Sequence, residues 1–295
     1  GRMEMEKVPA AGYRIVGLPI VGLQRQLTLK NIINNLQVPF KWIASQRKAA
    51  RIIKEFRPDV AVGVGGYASA PLLKQATRLG IPSLIQEQNG FAGLTNKMLG
   101  GKAGCICVAY EGMERFFPAG KIVFSGNPIR SVIHPYTEAD RAEALEFYGL
   151  DPGKRHIFVV GGSLGSGTLN NAMKKWISAK CPGGEDVEVL WQCGKYYKKS
   201  IDDFMYGREV PGVKYSDFIA RMDLAYASAD VVISRSGASS VSEICAARKA
   251  AVFVPSPNVA EDHQTHNAMA ANAAPLARPD AAQTIADEIY KLAAK

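Results

Sequence analysis

The chain has 295 residues, with 36 Lys and Arg against 27 Asp and Glu, giving a formal net charge of +9; hydrophobic residues make up 47% and charged ones 21%. That composition is ordinary for a globular protein, and the length suffices for two domains with separate cores. A run of about 18 apolar residues is absent, no signal-peptide pattern opens the chain, and the positive excess calls for an acidic partner.

Five cysteines without CxxC spacing predict a reduced, intracellular protein. His263 and His266 have metal-like spacing but lack a third ligand, so no metal is expected. With no nucleic-acid motif present, the acidic partner narrows to an anionic membrane surface or a phosphorylated substrate.

The first residues, Gly1-Arg2-Met3-Glu4, read as the middle of a domain. An α/β domain opens with an apolar strand, a Gly-rich turn and a helix. None of these precedes Val8-Pro9, so a first strand and its loop are expected to be missing. Tyr13 to Leu18 reads as a strand. From Thr28 to Phe56 the pattern is helical and basic: Ile32, Ile33, Leu36, Phe40 and Trp42 alternate with Lys30, Lys41, Arg47, Lys48, Arg51 and Lys54. Two readings fit equally, a surface helix pair packed on a sheet and an interfacial patch that meets anionic lipid.

Asp59 to Val64 is a strand, and Gly63 to Ala68 fits GxGxxA. Glu87 follows about 20 residues on, at the end of the strand that starts with Pro82 to Ile85, where a dinucleotide fold places its ribose-binding acid. Alone, this half reads as a nicotinamide-binding domain, or as a plain strand-to-helix turn with Pro71 in the first helical turn. Gln86-Glu87-Gln88-Asn89-Gly90 places polar side chains at a strand's carboxyl end, suited to a hydroxyl-rich substrate or to turn and cap duty. Thr95-Asn96-Lys97 starts a helix, and Cys105 to Val108 and Ile122 to Phe124 are strands. Ser125-Gly126-Asn127-Pro128-Ile129-Arg130 closes the first domain and sets Arg130 at the boundary cleft.

Tyr136 to Lys154 is polar and helical. His156 to Val160 is the first strand of the second domain. Gly161-Gly162-Ser163-Leu164-Gly165-Ser166-Gly167 follows, and then a helix from Leu169 to about Ala179. This loop is neither a Walker A loop nor GxGxxG, but it lets backbone amides approach a ligand. Glu188 to Gln192 and Val213 to Tyr215 are strands, and Phe218-Ile219 opens the loop before Met222 to Ala229. Asp202-Asp203 lies in a polar stretch and reads as solvated surface.

The organising stretch runs from Asp230 to Asn267. Val231 to Ile233 is a buried strand, and the small residues Ser234 to Ser240 turn the chain into a helix that starts at about Ser240. Glu243 sits one turn in, with Arg248 and Lys249 near the end. Ala251 to Pro255 is a strand, leading to a polar loop from Glu261 to Asn267. Free N–H groups at a helix start suit a diphosphate, and an acid in the first turn suits a ribose diol, so the stretch reads as a nucleotide-sugar site. A helix begun at Asn267 breaks at Asn272 to Pro275, which leaves the second domain short by a strand and a helix near Ala271. Ala281 to Lys295 is an amphipathic helix.

Six ordered motifs resemble the bacterial peptidoglycan glycosyltransferases that move GlcNAc from UDP-GlcNAc to lipid I. They are Gly65 to Ser69, Gln86 to Lys97, Gly126 to Arg130, Gly161 to Gly165, Arg235 to Glu243, and Asp262-His263-Gln264 with Asn267. The resemblance implies a GT-B fold: two Rossmann-like α/β domains facing across a cleft, residues 1–129 and 130–280, with the helix 281–295 crossing back to the first. The donor site it implies comprises Ser163 on phosphate, Ile219 on uracil, and Ala238, Ser239, Ser240, Val241, Ser242 and Glu243 around the diphosphate and ribose. Gln264 meets the sugar, and Asn89 and Arg130 close on the donor from the cleft. Glu87 is the acceptor-side candidate.

The same resemblance implies an inverting transfer to the C4 hydroxyl of MurNAc without metal or cofactor. It places the protein on the cytoplasmic face of the bacterial inner membrane as a peripheral enzyme, with other cell-wall synthesis proteins as further partners. The chain departs from the family in lacking its first Gly-rich loop and the histidine often assigned as general base, so no base is named. Gln86 stands where the family often has His. The readings from other classes are a nicotinamide-dependent oxidoreductase and a non-catalytic subunit that binds nucleotide sugar or lipid.

Overall fold

The computed structural model describes residues 4–20, 35–257, 259, 262–273 and 278–294. The expected residues 28–34, Glu261 and Pro275 lie outside that range. Two parallel sheets organise the chain. The first runs in the order β1 (Ala61–Gly63), β2 (Ser83–Glu87), β3 (Cys105–Val108), β4 (Ile122–Phe124). Its central strands are buried along their whole length, as parallel strands covered on both faces must be: β3 is an apolar run, and β2 carries Leu84 and Ile85 between Ser83 and the polar Gln86 and Glu87. Helices α1 (Glu4–Ala10), α2 (Val38–Phe56), α3 (Gly66–Arg78) and α4 (Leu94–Gly100) belong to this half.

The second sheet contains β5 (Arg155–Val160), β6 (Val187–Gln192), β7 (Val213–Ser216), β8 (Val231–Ser234) and β9 (Ala250–Phe253), in the order β7-β6-β5-β8-β9. Helices α5 (Glu138–Tyr148), α6 (Gly167–Ser178), α7 (Lys198–Met205), α8 (Met222–Ser228), α9 (Ala238–Ala246) and α10 (His263–Ala273) surround it. Strand order reverses between β5 and β8. At such a switch point the two flanking connections leave in opposite directions and open a crevice at the carboxyl ends. Phe158, Val232, Tyr226 and Ile244 form the core on one side of this sheet, and Val159, Trp191, Met173 and Ile201 on the other.

The final helix, α11 (Ala281–Ala293), returns to the first sheet. Its Leu292, with Ile285 and Ile289 beside it, packs on Leu84, Cys105 and Cys107.

Three local expectations change. Tyr13 to Leu18 is not a strand; no ladder partner lies beside it among the described residues, and Tyr13 and Val16 stay exposed. Helix α9 starts at Ala238, because Gly237 already has the extended backbone of a cap residue. His263 to Asn267 is the opening of α10 and not a loop. The face it buries carries an amide, Asn267, in place of an apolar residue, which hides the helical period.

Candidate active site

The crevice at the β5/β8 switch point is bordered by the loop of residues 161–166 on one side and the turn of residues 235–237 on the other. The first loop lies close against the turn after β6. A Cβ on Gly165 would come within 2.2 Å of the Cys193 carbonyl oxygen, and Gly165 has φ +88°, so only glycine fits there. Ser163 stands exposed on this loop. Gln192, at the end of β6, ties the loop to its neighbour: its Nε2 donates to the Gly162 carbonyl at 3.1 Å, and its Oε1 accepts from the Ile219 N–H at 2.9 Å. The Ile219 side chain is buried in the core with Phe158 and Leu190, and its backbone is tied through Gln192 to Gly162.

On the other side, α9 begins with no side chain capping it. Its first-turn N–H groups and the positive end of its dipole face the crevice, a ready anion site. Arg235 is turned away from this position. Its guanidinium donates to the Val254 and Pro255 carbonyls at 2.9 and 2.7 Å and to Thr168 Oγ1 at 2.9 Å, which locks the end of β9 to the start of α6.

Glu243 is buried one turn into α9. Its Oε1 accepts from Arg130 Nε and Nη2 at 3.0 and 2.8 Å, and its Oε2 accepts from the Tyr226 hydroxyl at 3.2 Å. Burial, reinforced by the carboxylate, pushes the Tyr226 phenol well above its ordinary pKa. Arg130 and Glu243, 113 residues apart, thus form one pair, with the guanidinium half-exposed toward the cleft. Ser242 Oγ accepts from Asn127 Nδ2 at 3.1 Å. Gln264 Oε1 accepts from the Ser256 N–H at 2.8 Å, so this side chain fastens α10 to the loop after β9.

Loop 88–96 approaches from the first sheet. Glu87, at the end of β2, accepts from the Asn89 N–H at 3.1 Å and Asn89 Nδ2 at 3.4 Å on one oxygen, and from the Gly93 N–H at 3.0 Å and Asn96 Nδ2 at 2.8 Å on the other. Both oxygens are engaged. Glu87 shapes the loop that carries Asn89, and a cavity of about 960 Å³ opens beside it, with Trp42, Tyr67, Lys74, Leu94 and Met98 in its wall. Gln86 is buried and donates to Asn127 Oδ1 at 3.0 Å, so it supports the boundary segment. Phe91 stacks on His266 of α10, with ring centroids 5.2 Å apart.

The structure therefore gathers Asn89, Arg130, Ser242 and Glu243 along one seam, and Ser163 and Ile219 along the opposite wall. Sequence reading missed Asn127, Gln192 and Tyr226. Asn127 and Gln192 are buried amides at strand or segment ends; such a position demands a specific partner and is the signal that points to them. Asp202, read as solvated, accepts from the Tyr215 hydroxyl at 3.1 Å and pairs with Lys198.

Two parallel α/β sheets, with a Gly-rich loop and a small-residue turn at the switch point of the second, define a GT-B glycosyltransferase architecture. The chain belongs to glycosyltransferase family 28: the family's N-terminal domain matches residues 1–108 and its C-terminal domain residues 156–288. Relatives in Parabacteroides distasonis and Bacteroides thetaiotaomicron are each named UDP-N-acetylglucosamine--N-acetylmuramyl-(pentapeptide) pyrophosphoryl-undecaprenol N-acetylglucosamine transferase. The first is 52% identical over 97% of this chain and 75% of its own length, the second 46% over 99% and 87%.

The solved MurG of Acinetobacter baumannii is similar with TM-score 0.69 and 28% identity, over 98% of this chain and 88% of that one. The UDP-GlcNAc 2-epimerase of Neisseria meningitidis, at 14% identity and TM-score 0.55 over 91% and 83%, shares the fold alone. The family match covers both halves as glycosyltransferase domains and leaves the nicotinamide reading of the Gly63 loop without support.

Proposed function

We propose that this chain transfers GlcNAc from UDP-GlcNAc to the C4 hydroxyl of MurNAc in lipid I, giving lipid II. The observation that carries the reading is identity of 46–52% across nearly the whole chain to relatives named for that transfer. The geometry fits it. The start of α9 receives the diphosphate, Glu243 the ribose diol, Ile219 the uracil and Ser163 a phosphate. Asn89 reaches the donor from the first domain and Arg130 from the boundary cleft, and Gln264 meets the sugar. The hydroxyl oxygen attacks the anomeric carbon and releases its proton to solvent water, the bond from that carbon to the UDP oxygen breaks with its electron pair left on UDP, and configuration inverts. Helix N–H groups and Arg130 stabilise the charge that develops on UDP, which allows the step without metal or cofactor.

Calorimetry with UDP-GlcNAc, UDP and NADH tests this reading. Binding of the first two and not of NADH is expected. NADH binding alone would restore the oxidoreductase reading, and binding without transfer by the isolated chain would leave a non-catalytic subunit.

No helix among the described residues is long and apolar enough to cross a membrane. The lipid acceptor and α2 support a peripheral position on the cytoplasmic face of the inner membrane. That helix exposes Phe40 and Ile43 beside Lys41, Arg47, Lys48, Arg51 and Lys54, the composition of an interfacial anchor. Co-sedimentation with vesicles containing anionic lipid, lost at high salt or on Phe40→Ser with Lys41→Glu, is the expected behaviour. Equal recovery with neutral vesicles at all salt concentrations would oppose it.

A further inference from the structure

Asn267 is fully buried in α10, yet each polar atom of its side chain has a partner on a ligand-facing loop. Its Oδ1 accepts from the Gly90 N–H at 2.8 Å. Its Nδ2 donates to Asn89 Oδ1 at 3.1 Å and to the Ser236 carbonyl at 3.2 Å. The Gly90 N–H can only donate and the Ser236 carbonyl can only accept, so the amide of Asn267 has one satisfied orientation. That orientation aims N–H at Asn89. Asn89 must answer with its oxygen, and its own NH2 then turns to Glu87 Oε1, 3.4 Å away, which leaves its second N–H for the cavity that Asn89 lines. The outcome is a hydrogen-bond donor presented to the cleft, the polarity a phosphate or acetyl oxygen requires. A flipped Asn89 would present an acceptor there and repel the same ligand.

We infer that Asn267 is a positioning residue for the donor sugar nucleotide. It acts through Asn89, whose amide it holds donor-outward while joining the first domain's loop to the turn before α9. The inference rests on the UDP-GlcNAc reading above. It goes beyond it by assigning the polarity of one contact to a residue that does not itself touch the ligand.

A double-mutant cycle tests it, with UDP-GlcNAc affinity measured by calorimetry and thermal unfolding recorded for every variant. Asn89→Ala is expected to weaken binding about tenfold, the loss of one hydrogen bond at a cleft. Asn267→Ala should do nearly the same, and the double variant should be no weaker than Asn89→Ala. Asn267→Asp keeps the size and the bond to the Gly90 N–H but has no N–H for Asn89, so it should match Asn267→Ala in binding. In steady-state assays KM for UDP-GlcNAc should rise while KM for lipid I stays unchanged, a split that general loosening of the domain seam would not produce.

Additive losses, about a hundredfold in the double variant by the same arithmetic, would overturn the inference. So would full affinity in Asn267→Asp, or a loss of affinity seen only in variants without a cooperative unfolding transition. If the unmodified chain bound no UDP-GlcNAc, the functional reading would fall and this inference with it. Additive losses with normal binding by the unmodified chain would remove this inference alone.

Discussion

Glu243 performs two tasks that substitutions can separate. One oxygen carries the Arg130 guanidinium and the other the Tyr226 hydroxyl. Glu243→Ala strands a buried hydroxyl, which costs about 1–3 kcal/mol. The half-exposed Arg130 is readily hydrated, so its lost pairing adds no more than about 1 kcal/mol. Stability should therefore fall by roughly 1–4 kcal/mol, or about 2–16 °C in Tm if each kcal/mol shifts a chain of this size by 2–4 °C. UDP-GlcNAc affinity should fall at least about tenfold through the lost charge-assisted bond to the ribose diol. Tyr226→Phe leaves the carboxylate and Arg130 in place; it should cost about 1 kcal/mol of stability and leave affinity within about threefold. Thermal unfolding and calorimetry on both variants give the answer. Unchanged affinity in Glu243→Ala, with the stability loss present, would make Glu243 a structural pillar only. Equal weakening by Tyr226→Phe would refute the separation of its two faces.

Gly126 has φ +80°, and a Cβ there would stand 2.4 Å from the Cβ of Arg278, so Gly126→Ala should destabilise by roughly 1–3 kcal/mol and loosen the segment that leads into α11; denaturant unfolding measures it, and a neutral result would deny that the two chain segments pack so closely. Glu87→Gln turns an amide N–H toward N–H donors that the carboxylate now accepts, and should lower Tm and weaken donor binding through the displaced Asn89 loop; wild-type values in both assays would refute that account. Thr137 and Asp140 form a reciprocal capping box on α5, and the Thr137 backbone N–H and hydroxyl hold Asp140 below its ordinary value of 3.8. A carboxylate depressed in the folded state contributes stability that is present above 3.8 and disappears as pH falls through the lower folded value. Thr137→Ala should therefore narrow its stability gap to the parent as acid titration passes below 3.8, and a gap constant with pH would contradict the box.

Much of this was legible from the chain. Cys105 to Val108 and Ile122 to Phe124 appear as strands at their expected bounds because buried parallel strands are uninterrupted apolar runs. The Gly161 loop and the Ser234 to Ser240 turn were legible as strand-to-helix connections because glycine and small residues cluster there between an apolar strand and a helix. Tyr13 to Leu18 misled, since its alternation supplies only half of a strand and the other half is a neighbour. The pairing of Arg130 with Glu243 was out of reach, because each residue had its own ligand role by motif and nothing in the spacing of residues 113 apart announces an ion pair. Strand order was equally silent. That β5 adjoins both β6 and β8, and so creates the switch point, is a property of the sheet and of no single segment.

The seam between the two halves is held chiefly by polar contacts. Asn127 joins Gln86 and the Gln88 carbonyl to Ser242, Asn267 joins the Asn89–Gly90 turn to Ser236, and Arg130 meets Glu243. Among the described residues the apolar contribution is Ala109 and Tyr110 against Val241, Cys245, Phe253 and the end of α10, with Phe91 stacked on His266. Hydrogen bonds exchanged for water cost about 0.5–1.5 kcal/mol each, and a polar interface of this kind separates more readily than a hydrophobic one. The residues that would grip the donor are the same ones that close the seam, so ligand bonds and interdomain bonds compete for Glu243 and Arg130. Donor binding should then change the relation between the halves as well as fill the crevice. Small-angle scattering with and without UDP-GlcNAc measures this directly, and an unchanged profile at saturation would show that the seam stays shut around its ligand.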